Sequence, residues 1–262
     1  MRKTRREKTL EESICQAMDG TDTGILPFLP YILQDAWELG ASPEAVIAMV
    51  RKHVKGFPRP RVLDLGCGKG PVSIRLAQEI GCRCLGIDAI PEFIAFAKAK
   101  ARELGVARLC RFETGDIRER IKALPRFDVI VLGAIGPVFG NTTDTLKTLS
   151  PHLEEKGVII VDDGYIEDDA DFADPRILKK RALLRQIRRA GMILADEVIG
   201  GREEIKDADD RIFARLERRC RELMLRHPEK KHLFEGYIRN QIEENNLLEN
   251  EVVCSLLVIR RG

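Results

Sequence analysis

Apolar positions recur along this chain with two different periods. Short apolar runs closed by glycines or acids have the length and β-branched content of buried strands: Arg61-Val62-Leu63-Asp64-Leu65, Cys84-Leu85-Gly86-Ile87-Asp88, Cys110-Arg111-Phe112-Glu113, Phe127 to Leu132, and Gly157 to Val161. Between them the spacing turns helical. Residues 71–80 predict one helix, and Pro91 opens another carrying Phe93, Ile94, Ala97, Ala101 and Leu104. Further helices are predicted near 142–154 and over 175–190. Met192-Ile193-Leu194 with Glu197-Val198-Ile199 predicts a sixth strand region, and Glu251 to Ile259 the last strand. Strands alternating with helices imply an α/β fold, a doubly wound, mostly parallel sheet with helices on both faces.

Two stretches interrupt that alternation. Residues 1–57 read as an N-terminal helical cap, with Ser42-Pro43 as cap and first turn before Val46, Ile47, Val50 and Val54. Inside it lies Gly24 to Trp37, apolar, aromatic and broken by Pro27 and Pro30. Packing against the main domain and service as a lid or substrate wall both stay open for it. Residues 201–250 read as a charge-rich helical insertion, with Ile212, Phe213, Leu216, Cys220 and Leu223, then Leu233, Phe234, Tyr237, Ile238 and Ile242, at helical spacing. The expected organisation is a cap over 1–57, a core over 58–200, the insertion over 201–250 and the final core strand over 251–262.

Composition narrows the partners. A net charge of +2 gives no overall field for nucleic acid, although Arg2, Lys3, Arg5, Arg6 and Lys8 make a basic start. No apolar run nears the ~20 residues of a membrane-spanning helix, and no apolar stretch follows the basic start as a secretory signal requires. Seven scattered cysteines without paired zinc spacing suit a reducing, cytoplasmic compartment. His53, His152, His227 and His232 stand apart from one another.

The chemistry concentrates at Val62-Leu63-Asp64-Leu65-Gly66-Cys67-Gly68-Lys69-Gly70, a strand running through glycines into a helix. Such a turn admits close backbone approach by a ligand, and the helix beyond offers free N–H groups. Asp64 suits a ligand bearing an ammonium group and opposes a pyrophosphate, which argues against a dinucleotide. Asp88, ending the second strand about 20 residues past the glycines, can accept hydrogen bonds from ribose hydroxyls. Gly115-Asp116-Ile117 follows the third strand, an acid for an adenine amino group beside an apolar residue for its face.

These three motifs, in this order, resemble those of class I S-adenosylmethionine-dependent methyltransferases, over roughly 60–200 and the final strand. The resemblance implies a Rossmann-like, seven-stranded sheet whose last strand is antiparallel. It implies S-adenosylmethionine as cofactor, held by Asp64, Gly66, Cys67 through its backbone N–H, Gly68, Asp88, Ala89, Gly115, Asp116, Ile117 and Gly133. Leu132-Gly133-Ala134-Ile135-Gly136-Pro137 lacks the Asn/Asp-Pro-Pro-aromatic box of amino-methylating nucleic-acid enzymes, and its small residues leave room over the methyl group. Val161-Asp162-Asp163-Gly164-Tyr165 ends the fifth strand before an acidic loop. Some O-methyltransferases bind magnesium at such a place, but the Asp they carry after the fourth strand is absent here. No metal is expected.

Asp163, Tyr165 and Tyr31 are the candidate catalytic or substrate-side residues, with Gln34, Trp37 and Tyr237 as further pocket walls. The reading is methyl transfer by in-line displacement to a small-molecule acceptor, with no membrane partner and nucleic acid disfavoured. A protein or RNA methyltransferase and a non-catalytic cofactor-binding protein are the alternatives.

Overall fold

The computed structural model describes residues 8–56 and 58–262. The basic run from Arg2 to Arg6 lies outside them. Seven strands form one sheet: β1 Arg61–Leu65, β2 Arg83–Asp88, β3 Cys110–Thr114, β4 Phe127–Gly133, β5 Leu153–Tyr165, β6 Met192–Ile199 and β7 Val253–Arg261. Their order is β3-β2-β1-β4-β5-β7-β6. The pairs among β1 to β5 are parallel, and β7 enters antiparallel between β5 and β6. The expected doubly wound sheet with an antiparallel last strand is therefore present. It places the carboxyl ends of β1 to β4 side by side, where ligands bind in such sheets.

Helices cover both faces. Alternate residues of each central strand point to opposite sides, as a pleated strand requires. Val62, Val129, Val131 and Ile160 pack under α3 (Pro43–His53), α4 (Pro71–Ile80) and α5 (Pro91–Glu103). Leu63, Ile130, Leu132 and Ile159 pack under α7 (Thr142–Leu149) and α8 (Lys180–Arg189). Ser42 accepts from the Ala45 N–H at 3.2 Å to cap α3, as its sequence signal predicts.

A third cluster joins the N-terminal segment to the insertion. There α1 (Leu10–Ala17) and α2 (Leu29–Ile32) meet a hairpin of two long helices, α9 (Arg202–Arg226) and α10 (Lys231–Asn250). Ile25, Leu29, Ile32 and Leu33 bury against Leu216, Cys220, Phe234 and Tyr237. Among the described residues no helix is long and apolar enough to cross a membrane.

Three boundaries differ from the sequence expectation. The helix expected from 142 stops at Leu149, because Pro151 cannot donate to continue it, and Leu153 already belongs to β5. The helix expected from 175 starts at Lys180. Pro175 disfavours a helical Asp174, whose carboxylate instead accepts from the Arg176 N–H at 2.7 Å to make a turn. Finally, β5 runs well beyond the apolar stretch 157–161, from Leu153 through Asp162 to Tyr165, because β7 supplies backbone partners opposite its second half.

The β1–α4 connection uses left-handed backbone at Gly66, Gly68 and Gly70, with φ of 71°, 52° and 74°. Beneath it Asp64 is 3% exposed and accepts from the Ser73 hydroxyl at 2.7 Å. Burial pushes its carboxyl up to about 6, with the Ser73 hydrogen bond opposing and the Asp88 charge adding.

Two predictions follow from this turn. A Cβ on Gly70 would sit 2.7 Å from the Phe112 ring, whereas one on Gly81, also left-handed at φ 78°, meets nothing within 4 Å. Gly70→Ala should cost about 2–5 kcal/mol in urea unfolding, from strain plus overpacking, against about 1–2 kcal/mol for Gly81→Ala. Equal losses would contradict the packing. Asp64 has a folded pKa above its unfolded value, so its contribution is fully present below the unfolded pKa and is lost as pH rises through about 6. The stability of Asp64→Asn relative to wild type should therefore grow by up to about 3 kcal/mol between about pH 4 and pH 7. A pH-independent difference would contradict a buried, charge-starved Asp64.

Candidate active site

The carboxyl ends of β1 to β4 open into a cavity of about 310 Å³. Its floor is the glycine turn. The Gly66 and Cys67 N–H groups both donate to the Ile87 carbonyl, at 2.8 and 3.1 Å, which ties the turn to β2. The Gly68 N–H donates to Asp88 Oδ2 and the Ile90 N–H to Asp88 Oδ1, each at 2.8 Å. Asp88 is 7% exposed, fixed from both sides, and lines the cavity. A Cβ on Gly68 would meet nothing within 4 Å, so open space stands directly over the backbone there. The Cys67 N–H, expected to contact a ligand, is instead occupied by Ile87, because β2 needs a partner at its end.

The next wall is the end of β3. Asp116 caps the short helix α6 (Ile117–Arg120) by accepting from the Arg118 N–H at 2.9 Å. The Arg118 guanidinium grips both Asp116 oxygens at 2.7 to 3.0 Å and holds the carboxyl below its usual range. The same guanidinium donates to the Lys8 carbonyl at 2.9 Å and to the Ser13 hydroxyl at 3.3 Å, linking α1 to this wall.

Lys69 was not anticipated. It is 3% exposed and its ammonium donates to the Leu33 and Ala36 carbonyls, at 2.5 and 2.6 Å, with the rings of Phe93 and Phe96 beside it. Burial pushes its pKa down to about 8, with Asp35 opposing. Trp37 Nε1 donates to the Lys69 carbonyl at 3.2 Å, so the N-terminal segment is held at the turn by both ends of one residue.

Three helices line the cavity, each with one face. Leu10, Ser13, Ile14 and Ala17 on α1, Asp209, Ile212, Phe213 and Leu216 on α9, and Tyr237, Gln241, Glu244, Asn245 and Leu248 on α10 line it at helical spacing. Only Tyr237 of these was anticipated. The periodicity of the others is visible in the sequence, but not what it faces.

Gly66, Cys67, Gly68, Asp88, Ala89, Gly115, Asp116, Ile117 and Gly133 all line this one cavity, as does Trp37. Asp64 lies beneath the turn rather than on the wall. The candidate catalytic residues are elsewhere. Tyr165 is fully buried under α8, where its alternating position on β5 aims it into the core and its hydroxyl meets Lys180 Nζ at 2.7 Å. The Tyr31 hydroxyl donates to Glu222 at 2.5 Å, and its ring lies under the guanidinium groups of Arg219 and Arg226. Asp163 is exposed on β5, opposite Ser255, and Gln34 is exposed outside the cavity. Among the described residues no three His, Cys, Asp or Glu side chains converge as a metal-ligand set.

The family model for methyltransferase domains matches residues 58–216. The chain is 30% identical over 132 residues to a 23S rRNA (uracil-C5) methyltransferase of Shewanella amazonensis, covering 46% of this chain and 29% of that protein. It is 27% identical over 118 residues to a ubiquinone biosynthesis O-methyltransferase of Rickettsia canadensis, covering 45% and 48%. The chain thus spans under half the length of these curated relatives. Among solved structures, a Geobacter sulfurreducens methyltransferase in complex with S-adenosyl-L-homocysteine superposes with a TM-score of 0.73 at 22% identity, covering 90% of this chain and 98% of the other. With the sheet order, the glycine turn and the family match in agreement, the chain belongs to the class I S-adenosylmethionine-dependent methyltransferases.

Proposed function

We propose that this cavity binds S-adenosylmethionine at the ends of β1 to β4 and presents its methyl group to a small molecule held under α1, α9 and α10. The observation that carries the reading is convergence. Residues from four separate strand ends, marked by the sequence motifs, line a single space, with Asp64 of the same motifs lying beneath it.

The residues suit the cofactor. Asp88 keeps acceptor capacity for ribose hydroxyls, with Ala89 beside it. Ile117 offers an apolar surface to adenine next to Asp116. Gly68 leaves the backbone open to the methionine end, while the Ile135 side chain stands over Gly66. Asp64 and Asp88 are both pushed up by burial, and Lys69 is committed to two carbonyls, so a ligand ammonium over the turn would supply a missing cation. When bound, the sulfonium centre supplies an activated methyl group. The chain aligns the acceptor and keeps water out. Gly133 and Ala134 line the cavity where β4 ends, packed from behind by Ala41 and Gly40.

The helices of the insertion and cap that line the cavity favour, in this reading, a small acceptor over an RNA or protein segment. Seven free cysteines fit a reducing compartment such as the cytoplasm.

Isothermal titration with S-adenosylhomocysteine tests the donor site. Micromolar binding is expected, weakened by about 1–3 kcal/mol in Asp88→Ala, from the loss of hydrogen bonds to a charged acceptor. No binding to wild type, or binding indifferent to Asp88, contradicts the assignment. Binding without turnover on any acceptor would favour a non-catalytic protein.

A further inference from the structure

The end of the cavity away from the glycine turn has its own chemistry. Asp19, Asp209 and Glu244 line it, from the residue beyond the α1 cap, from α9 and from α10. Asp19 is held in place: Gln241 Nε2 donates to its Oδ2 and Asn240 Nδ2 to its carbonyl, both at 3.1 Å. Asp209 Oδ2 is buried and has no hydrogen-bond partner among the described residues. Tyr237 is 4% exposed and lines the same space, with no partner for its hydroxyl among the described residues. A buried phenol and a buried carboxylate oxygen left unmet are groups that a ligand is positioned to complete.

The charge at this end is one-sided. Burial and then the Glu244 charge push Asp19 up to about 6, with Gln241 and Arg176 opposing. Burial and then Glu249 and Asp210 push Asp209 up to about 6, with Lys206 opposing. The nearby cations are already engaged. Arg176 reaches Glu244 at 3.2 Å from outside while clamped on Asp174, and Lys206 is shared by Asp210 and Glu249. Lys69 and Arg118 serve the donor end. On β7, burial and then Asp162, Asp209, Asp163 and Glu244 push the Cys254 thiol up to about 11, so the acids ending β5 add to the same field. Around these carboxylates the walls are apolar: Ile14, Met18, Phe213 and Leu248.

An apolar chamber ending in carboxylates and an aromatic hydroxyl is the chemistry of an organic ammonium site. The carboxylates meet the charge, the phenol accepts an N–H, and the ring faces favour a cation. We infer that the methyl acceptor is an amphipathic molecule bearing an ammonium group, which anchors it among Asp19, Asp209, Glu244 and the Tyr237 hydroxyl with its apolar part against α1 and α9; the protonated nitrogen has no lone pair and serves as the anchor, not as the atom methylated. This rests on the donor-site reading above.

The test uses full-length protein saturated with S-adenosylhomocysteine, titrated with hexylamine, 1-hexanol and hexanoate as probes of equal length. Hexylamine should bind at least about tenfold more tightly than hexanol, and hexanoate most weakly. That preference should fall at least about fivefold in Asp209→Asn, Glu244→Gln and Tyr237→Phe, while their affinity for S-adenosylhomocysteine stays within about twofold of wild type, which also reports that they fold. Absence of an amine preference, or one these variants leave intact, overturns the inference and leaves the donor site standing. If S-adenosylhomocysteine affinity falls in step with amine affinity, the carboxylates serve the donor's own ammonium and the inference is wrong. Wild type that does not bind S-adenosylhomocysteine overturns the donor reading, and the inference with it.

Discussion

An ammonium group taken out of water is costly unless its donors are met, and Lys69 meets two of its three with the Leu33 and Ala36 carbonyls. Those carbonyls belong to a segment remote in sequence from the glycine turn. The turn can therefore be buried only if residues 29–37 return to it. Trp37 reinforces the joint by donating to the Lys69 carbonyl. Once that segment is anchored, Leu29, Ile32 and Leu33 present an apolar surface that α9 and α10 must cover. The cavity is the space left between this cover and the strand ends. The cover over the cavity is thus tied to the glycine turn through Lys69 and Trp37.

Electrostatics divide the cavity into two ends. At the glycine turn, Asp64 and Asp88 are buried without an ion-pair partner among the described residues, while Arg118 neutralises Asp116 and latches α1 down through Lys8 and Ser13. At the far end, Asp19, Asp209 and Glu244 gather around Tyr237. Between them the lining is small or apolar, including Gly133, Ala134 and Ile135. Such a layout fits a cationic donor and a cationic acceptor meeting across a neutral middle, where like charges are kept apart by the carboxylates each has to itself.

The core strands were legible because a strand buried on both faces must read as a short apolar run, and β1 and β4 do so. The turn was legible because only glycine tolerates its backbone. Lys69 went unread because nothing in its local sequence says that a charged residue among glycines will be buried, since its partners lie more than 30 residues away. Asp163 and Tyr165 were placed at the site because they stand at the end of the fifth strand, after its apolar run. The antiparallel β7 extends it, and strand alternation then sends Tyr165 into the core. The faces of α1, α9 and α10 show a plain helical period, but a period cannot tell whether it meets another helix or a ligand. That is why Asp209 and Glu244 emerged only from the structure.

In the proposed arrangement one cavity holds the donor at the strand ends and opens its reactive side toward α1, α9 and α10. A crystal structure with S-adenosylhomocysteine bound tests it most directly. The account predicts ribose hydroxyls on Asp88, adenine against Ile117, and the sulfur directed toward Tyr237 and Glu244. A nucleoside outside this cavity, or a sulfur turned away from those helices, would contradict it.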